Sequence, residues 1–406
     1  MQGGVRTRRH HGWYVVGSAF LLLFFTGASR FAFGVVFKPM LADFGWTRGT
    51  LSLAFTLNMT LMSLTQPWAG RLFDRHGPRK ILGVFTTITA IGLLLTGWIA
   101  APWHLFLTYG LLTGIGFGGV STSVVSALLS RWFPYRTGLT VGIAMGGLAL
   151  GQLLLVPLIN HLVLHMGWQY AYVLLGSSVA LLCLPLIAWI ITLPQEEGRS
   201  QKAGLSELFP VRSLRGAMRT RNFWWIAITY VICGFQDFLV MTHLVPLATD
   251  LGLDPVRAGH YLGWMGGISF PGVLLFGLLS DYLGRTGPLA LTFFLRFFGF
   301  LLVLFSPGAH TLLLFTLIFG LTFFASGPIA PALLHTLYGP RHLGEITGVI
   351  MLLHSLAGGL GSYAGGLSFD QMGSYRGALI LALILAGIAI FSSLVIQEHS
   401  SSREAQ

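Results

Sequence analysis

The sequence predicts an all-α membrane protein: twelve transmembrane helices in two six-helix bundles related by pseudo-two-fold symmetry. Three observations carry that expectation. The chain is 54% hydrophobic and only 9% charged, with a mean hydropathy of +0.75 over 406 residues, a balance foreign to soluble domains of this length. Apolar runs of about 20 residues, enough to cross a hydrocarbon core roughly 30 Å thick, recur along the whole chain. The second half also repeats the first in one register.

The runs lie at 13–37, 49–72, 80–100, 104–130, 137–163, 169–192, 223–248, 258–280, 288–306, 311–337, 344–367 and 375–396. The first is too long for a signal-peptide core and is expected to stay as a spanning helix. A polar link, rich in Arg, Glu and Ser, separates the sixth run from the seventh. It divides the chain into an N-terminal bundle (1–193), a linker (194–222) and a C-terminal bundle with a short tail (223–406).

A net charge of +11 invites a nucleic-acid reading, but the basic residues sort by side. With Met1 placed inside, the even-numbered turns and both termini hold Arg6, Arg8, Arg9, Arg71, Arg75, Arg79, Lys80, Arg131, Arg136, Arg199, Lys202, Arg212, Arg215, Arg219, Arg221, Arg285, Arg341 and Arg403. The opposite side holds Lys38, Arg48, Arg257 and Arg376. This asymmetry orients spanning helices, so both termini are expected in the cytoplasm, and the lipid bilayer rather than nucleic acid accounts for the basic balance. Trp13 and Tyr14 suit the interface at the start of the first span. Cys183 and Cys233 lie in apolar segments with neither disulfide nor metal spacing, and they read as small packing residues.

The repeat is read directly. Pro39, Asp43, Gly45, Gly70, Leu72, Asp74 and Gly77 recur 207 positions on as Pro246, Asp250, Gly252, Gly277, Leu279, Asp281 and Gly284. Gly114, Pro134, Gly138, Gly142, Met166 and Gly167 recur 206 positions on as Gly320, Pro340, Gly344, Gly348, Met372 and Gly373. Parallel duplication of a six-helix unit is a mark of transporter architecture. In the same register Arg30 falls on Asp237, placing opposite charges at equivalent points of spans one and seven.

The turn after span two reads GRLFDRHGPRK and its echo GLLSDYLGR. Gly70 permits close helix approach, Asp74 can pair with Arg75 or Arg79 or accept from a helix N-terminus, and Gly77 allows a tight turn. Such a loop can latch one conformation; it can equally be a solvated turn. Gly277, Asp281, Gly284 and Arg285 form the second copy, weaker because Thr286 stands where Arg79 does. Glycine clusters at 110–119 and 358–366 allow close backbone approach, whether static or sliding.

These loops resemble the signature loop of the major facilitator superfamily, and with the duplication the resemblance covers nearly the whole chain. GWYVV at 12–16, FGVVFKPMLADFGWTRG at 33–49, CGFQDFLVMTHLVPLATDLG at 233–252 and FDQMGSY at 369–375 resemble the monocarboxylate porter group, including its bacterial members. The resemblance implies a secondary active transporter in a plasma membrane, moving a small carboxylate by alternating access as a proton symporter. The group carries a cation in the first span and an Asp and Arg one turn apart in the eighth. Arg30 lies next to the first position, whereas Ser269 and Val273 stand where the eighth-span pair would be.

Arg30 is nine residues before Pro39, roughly 13 Å along a helix at 1.5 Å per residue, and so near mid-membrane. An arginine there costs about 2.5 to 3.5 kcal/mol and faces a cavity or a partner. Thr26, Gly27 and Gly34 on its face leave room for a ligand. Asp237 is the only acid away from the ends of a span, and spans one and seven line the central cavity in the implied fold. The two charges are therefore expected to meet there, with a substrate carboxylate competing for Arg30 and a proton neutralising Asp237. Gln152, His354 and Tyr109 are further candidates for the substrate site, more weakly than the charged pair. Asn58, Gln236 and His335 read as interhelical hydrogen-bonding groups. Arg296, in a span peripheral in this superfamily, reads as structural.

No cofactor is implied, and no metal site: His161 and His165 lack a third ligand. One buried acid among scattered histidines supplies no constellation for an enzyme. The alternative within the fold is an exporter or facilitator of a neutral or cationic solute, with Asp237 binding the cargo and Arg30 structural.

Overall fold

In a computed structural model the described backbone comprises residues 2–133, 137–192, 214–339 and 343–397, with the side chains of 2–10, 74, 137–138, 281 and 343–344 left aside. Most of the expected linker and the C-terminal tail lie outside it. All described elements are helical.

Span one consists of α1 (Gln2–Phe31) and α2 (Phe33–Phe44), separated at Ala32, where the chain tightens: Val35 N–H reaches the Ala32 carbonyl at 3.0 Å. Then come α3 (Arg48–His76) and α4 (Pro78–Thr96). Span four is built of α5 (Pro102–Leu105), a π-helical segment (Phe106–Thr113), α6 (Gly114–Gly119) and α7 (Thr122–Trp132). Span five is α8 (Thr137–Met166), and span six joins α9 (Trp168–Ser178), a π-helical segment (Val179–Cys183) and α10 (Leu184–Trp189). After the short α11 (Leu214–Met218), the second half contributes α12 (Arg221–Asp250), α13 (Pro255–Leu283) and α14 (Thr286–Phe305). It ends with α15 (Ala309–Phe323), α16 (Ser326–Tyr338), α17 (Leu343–Met372) and α18 (Arg376–Val395).

Among the described residues eleven stretches are long and apolar enough to cross a membrane. The expected second span is not one of these, although α3 is 29 residues long. Its Thr56, Asn58, Thr60 and Ser63 dilute the hydropathy, and they satisfy themselves on carbonyls within the protein.

The duplication is visible in the backbone. Gly45 and Gly252, Gly77 and Gly284, and Gly167 and Gly373 all adopt positive φ, the left-handed conformation glycine takes without strain. The starts of α3 and α13 also correspond: Thr47 accepts from Thr50 N–H and Asp254 from Arg257 N–H, each satisfying an otherwise orphan helix donor.

The core is divided unevenly. At the end nearer the termini it forms two separate clusters, one from first-half residues such as Leu22, Phe73, Leu128 and Ile187, the other from second-half residues such as Phe223, Phe293, Leu333 and Ile350. At the opposite end a single cluster joins both halves, including Phe33, Phe55, Val156, Met241, Leu262 and Phe319. There α3 packs on α17 and α8 on α13. Cβ atoms at Gly359 and Gly366 would come within 2.9 Å of Thr56 Cγ2 and 2.6 Å of Ser52 Oγ, so α17 meets α3 nearly backbone to backbone. Gly70 and Gly277 face open space instead. The close approach expected at Gly70 does not occur, because it sits beyond the packed end.

Candidate functional site

Arg30 occupies the last turn of α1, just before the tightened turn at Ala32. Its guanidinium carbon lies 4.8 Å from the centre of the Phe238 ring on α12, and its Nη2 donates to Met59 Sδ on α3 at 3.5 Å. Nε is buried without a hydrogen-bond partner among the described residues. A thioether is a weak acceptor and a ring face is no counter-ion, so among the described residues this cation has no carboxylate in ion-pair contact; the Asp237 charge reaches it only at longer range.

Asp237 is not that carboxylate. Its Oδ1 lies 2.8 Å from Arg296 Nη2 on α14, and its Oδ2 3.3 Å from His354 Nε2 on α17. The expected Arg30–Asp237 pair is therefore replaced by Arg296–Asp237–His354, wholly within the second half. The Arg296 contact is a charge pair, since Oδ1 receives no aligned N–H. Arg296 is fully buried because every part of its fork is used. Nε donates to Thr322 Oγ1 at 3.2 Å, Nη2 to the Thr322 carbonyl at 2.9 Å, Nη1 to Gln236 Oε1 at 3.5 Å, and the plane lies over Phe319. Cys233, one turn before Asp237, points its thiol at Oδ2 (3.5 Å) and lies 3.7 Å from Arg296 Nη1. It belongs to this polar cluster and is not simple packing.

The remaining candidates fall in different places. Tyr109 sits on the π-helical segment of span four, fully buried, its ring stacked 4.7 Å from Phe33 and its hydroxyl without a hydrogen-bond partner among the described residues. It is close enough for the Arg30 charge to act on it. Gln152 is elsewhere: its amide donates to the Leu262 carbonyl at 2.9 Å, between α8 and α13. It therefore fastens the two halves together. Asn58 holds the Tyr109 carbonyl at 2.6 Å, positioning the segment that carries Tyr109.

In the latch loops, Gly77 and Gly284 make the tight turns, and Arg75 and Arg79 are exposed. Arg285 begins the turn into α14. The carboxylates of Asp74 and Asp281 lie outside the described side chains.

A second charged group, unforeseen as a unit, closes the end away from the termini. Asp250 on α12 receives Lys38 of α2 at 2.5 Å and Arg48 of α3 at 2.7 Å. Asp370 on α17 caps α3 by accepting from the N–H groups of Arg48 (3.0 Å) and Gly49 (2.6 Å). Arg48 also donates to the Tyr375 hydroxyl and lies 3.4 Å over Phe369. Beneath it, His243 contacts Tyr375 and Ser52. Lys38 and Arg48 stood out as the few basic residues on their side of the sequence; their shared partner did not.

Spanning helices in two like halves, sealed at one end and built around an interior cation, define a membrane carrier. The chain belongs to the Major Facilitator Superfamily, whose family model matches residues 19–362. It is 28% identical to an uncharacterised transporter of this type, YcxA of Bacillus subtilis, over 96% of each chain. It is 29% identical to monocarboxylate transporter 13 of Bos taurus over 94% of this chain and 89% of that protein, and 24% identical to monocarboxylate transporter 4 of Rattus norvegicus over 95% and 82%. Among solved structures, a bacterial homologue of the human lysosomal transporter Spinster, inward-facing and occupied, superposes with a TM-score of 0.75 at 16% identity, over 94% of this chain and 96% of that one. A D-xylose-proton symporter gives 0.72 at 16% identity over 95% and 97%. The chain is thus a multi-pass integral membrane protein with the fold of this superfamily.

Proposed function

We propose that this protein is a secondary active transporter that moves a small monocarboxylate together with a proton by alternating access. The observation that carries this reading is Arg30, which among the described residues has no ion-pair partner. Asp237 is already held by Arg296 and His354, so among the described residues two guanidinium groups and one carboxylate leave the interior one positive charge in excess. A substrate carboxylate supplies the missing counter-charge, and charge-assisted hydrogen bonds from Arg30 give it a strong anchor. Tyr109 offers a further donor from the same half. The monocarboxylate transporters among its relatives agree with this class of cargo.

Coupling follows from the same arithmetic. With His354 neutral the interior carries one excess positive charge; a proton on the Asp237–His354 pair makes it two and strengthens anion binding. By linkage, a bound anion strengthens proton binding equally, which is the requirement of a symporter. An organic cation meets the opposite field without the coordinate bonds a metal ion gains, and among the described residues the interior acid Asp237 is already engaged; this disfavours export of an organic cation.

The bundles run over residues 1–193 and 223–406 in this reading, joined by 194–222, in a bacterial inner membrane with both termini in the cytoplasm as the basic residues require. The end sealed by Lys38, Arg48 and Asp250 then faces outward, and the end with two separate cores faces the cytoplasm. The latch residues of the two turns, Asp74 and Asp281 included, act in the opposite, outward-facing state.

The test is uptake of labelled monocarboxylates by purified protein in proteoliposomes. Arg30→Ala is expected to reduce uptake at least 100-fold and Arg30→Lys less; unchanged uptake in Arg30→Ala refutes the assignment. Simple carboxylates should compete for transport where neutral and cationic solutes do not.

A further inference from the structure

We infer that Cys233, Asp237 and His354 form a binding site for a borderline-soft divalent metal ion of the zinc type, distinct from the carboxylate site at Arg30. One atom from each residue, Sγ, Oδ2 and Nε2, lies within 4.8 Å of the others. The separations from Oδ2 are 3.3 Å to His354 Nε2 and 3.5 Å to Cys233 Sγ. Zinc bonds of about 2.0 to 2.3 Å in a tetrahedron place neighbouring ligand atoms roughly 3.3 to 3.8 Å apart. Both distances already match those edges, and small side-chain movements bring in the third.

Arg296 helps this assembly because the carboxylate divides its oxygens. Oδ1 faces Arg296, while Oδ2 is directed at the thiol and the imidazole. Ligating carboxylates ordinarily hold such an outer partner, which fixes the oxygen that meets the metal. Arg296 Nη1, 3.7 Å from Sγ, also favours the thiolate, and Ser326 Oγ at 3.3 Å from Sγ can donate to it. On binding, the ion displaces the Cys233 proton to solvent. Cys233 and Asp237 are fixed one turn apart on α12, and His354 joins from α17 with its side chain 16% exposed, leaving a route for the ion.

The bound ion replaces the proton shared by Asp237 and His354 with a fixed charge. If the transport reading above holds, such ions are therefore inhibitors that arrest coupling, while their binding itself needs no transport to be observed.

Three measurements on the purified full-length protein test the site. Cobalt(II) should produce the near-ultraviolet charge-transfer absorption of a thiolate ligand; zinc should raise the melting temperature by several degrees; and in a Cys183→Ala background zinc should slow maleimide alkylation of Cys233 at least tenfold. Cys233→Ala should abolish the absorption, and His354→Gln should weaken both metals at least tenfold. Arg30→Ala should keep metal binding while losing carboxylate binding, which separates failure of this site from failure of the transport assignment. Cobalt binding without thiolate absorption, as the His161–His165 pair would give, overturns the proposal. So does absorption that survives Cys233→Ala. Should the variants fail to fold, equal alkylation rates with and without zinc overturn it.

Discussion

Asp237 faces Arg296 across 2.8 Å, with side-chain exposures of 7% and 0%, so the interior acid is neutralised from within its own half of the chain. Arg30, its equivalent by register in the other half, has no such partner among the described residues. The two halves are thus alike in backbone and unlike in charge, and several expectations rest on that inequality.

Removing one member of a buried pair leaves the other charge stranded, which costs about 3 to 5 kcal/mol. Arg296→Leu should accordingly lower the melting temperature sharply and abolish transport. The double variant Asp237→Asn/Arg296→Gln should recover most of the stability but not gradient-driven uptake. Equal stability of the single variant and the parent would show that the pair is not structural.

His354 is the most exposed member of the cluster, at 16% of its side chain against 7% for Asp237. His354→Asn removes a proton site while keeping a polar side chain of similar reach. Uptake driven by an imposed pH gradient should fall at least tenfold, whereas exchange of labelled for unlabelled substrate should persist. Acidification should then no longer stimulate uptake; retained stimulation would move the proton site elsewhere.

Asp250 receives two cations from the opposite half. Asp250→Asn removes both ion pairs, which, being about a quarter exposed at the carboxylate, are together worth about 1 to 2 kcal/mol. The population open at that end should rise roughly five- to thirtyfold, at about 1.4 kcal/mol per tenfold. Spin-label distances between α2 and α12 report this directly, and an unchanged distribution counts against the gate.

Gly359 and Gly366 let α17 lie against α3. Side chains at both positions collide with Thr56 and with Ser52 or the Arg48 carbonyl. Gly359→Leu/Gly366→Leu should fold but fail to seal that end, so crosslinks between α3 and α17 should be lost along with transport.

Much of the architecture was legible because membrane helices are written in composition and the duplication in unvarying glycines. The pairs Gly77 and Gly284, and Thr47 and Asp254, are backbone requirements that one-dimensional register captures. Charge partnership is different, since a guanidinium reaches sideways across helices. Arg296 was assigned to scaffold by the position of its span, yet it is buried in an apolar run, as Arg30 is, and the same insertion cost marked it. Gln152 was misplaced because a polar residue on a helix near the passage can face either the passage or the opposite half, and hydrophobic pattern does not choose between them. The role of Cys233 depended on knowing that α14 and α17 converge on its helix.

The uneven division of the core bears on how the chain can be built. Each half owns a complete apolar cluster at the end near the termini, so neither relies on the other there to become compact. Two polypeptides cut between residues 193 and 214 and made separately should insert independently and then reunite through their common interface at the far end, restoring uptake when co-expressed. A carrier of this kind is in effect a dimer whose subunits happen to be tethered.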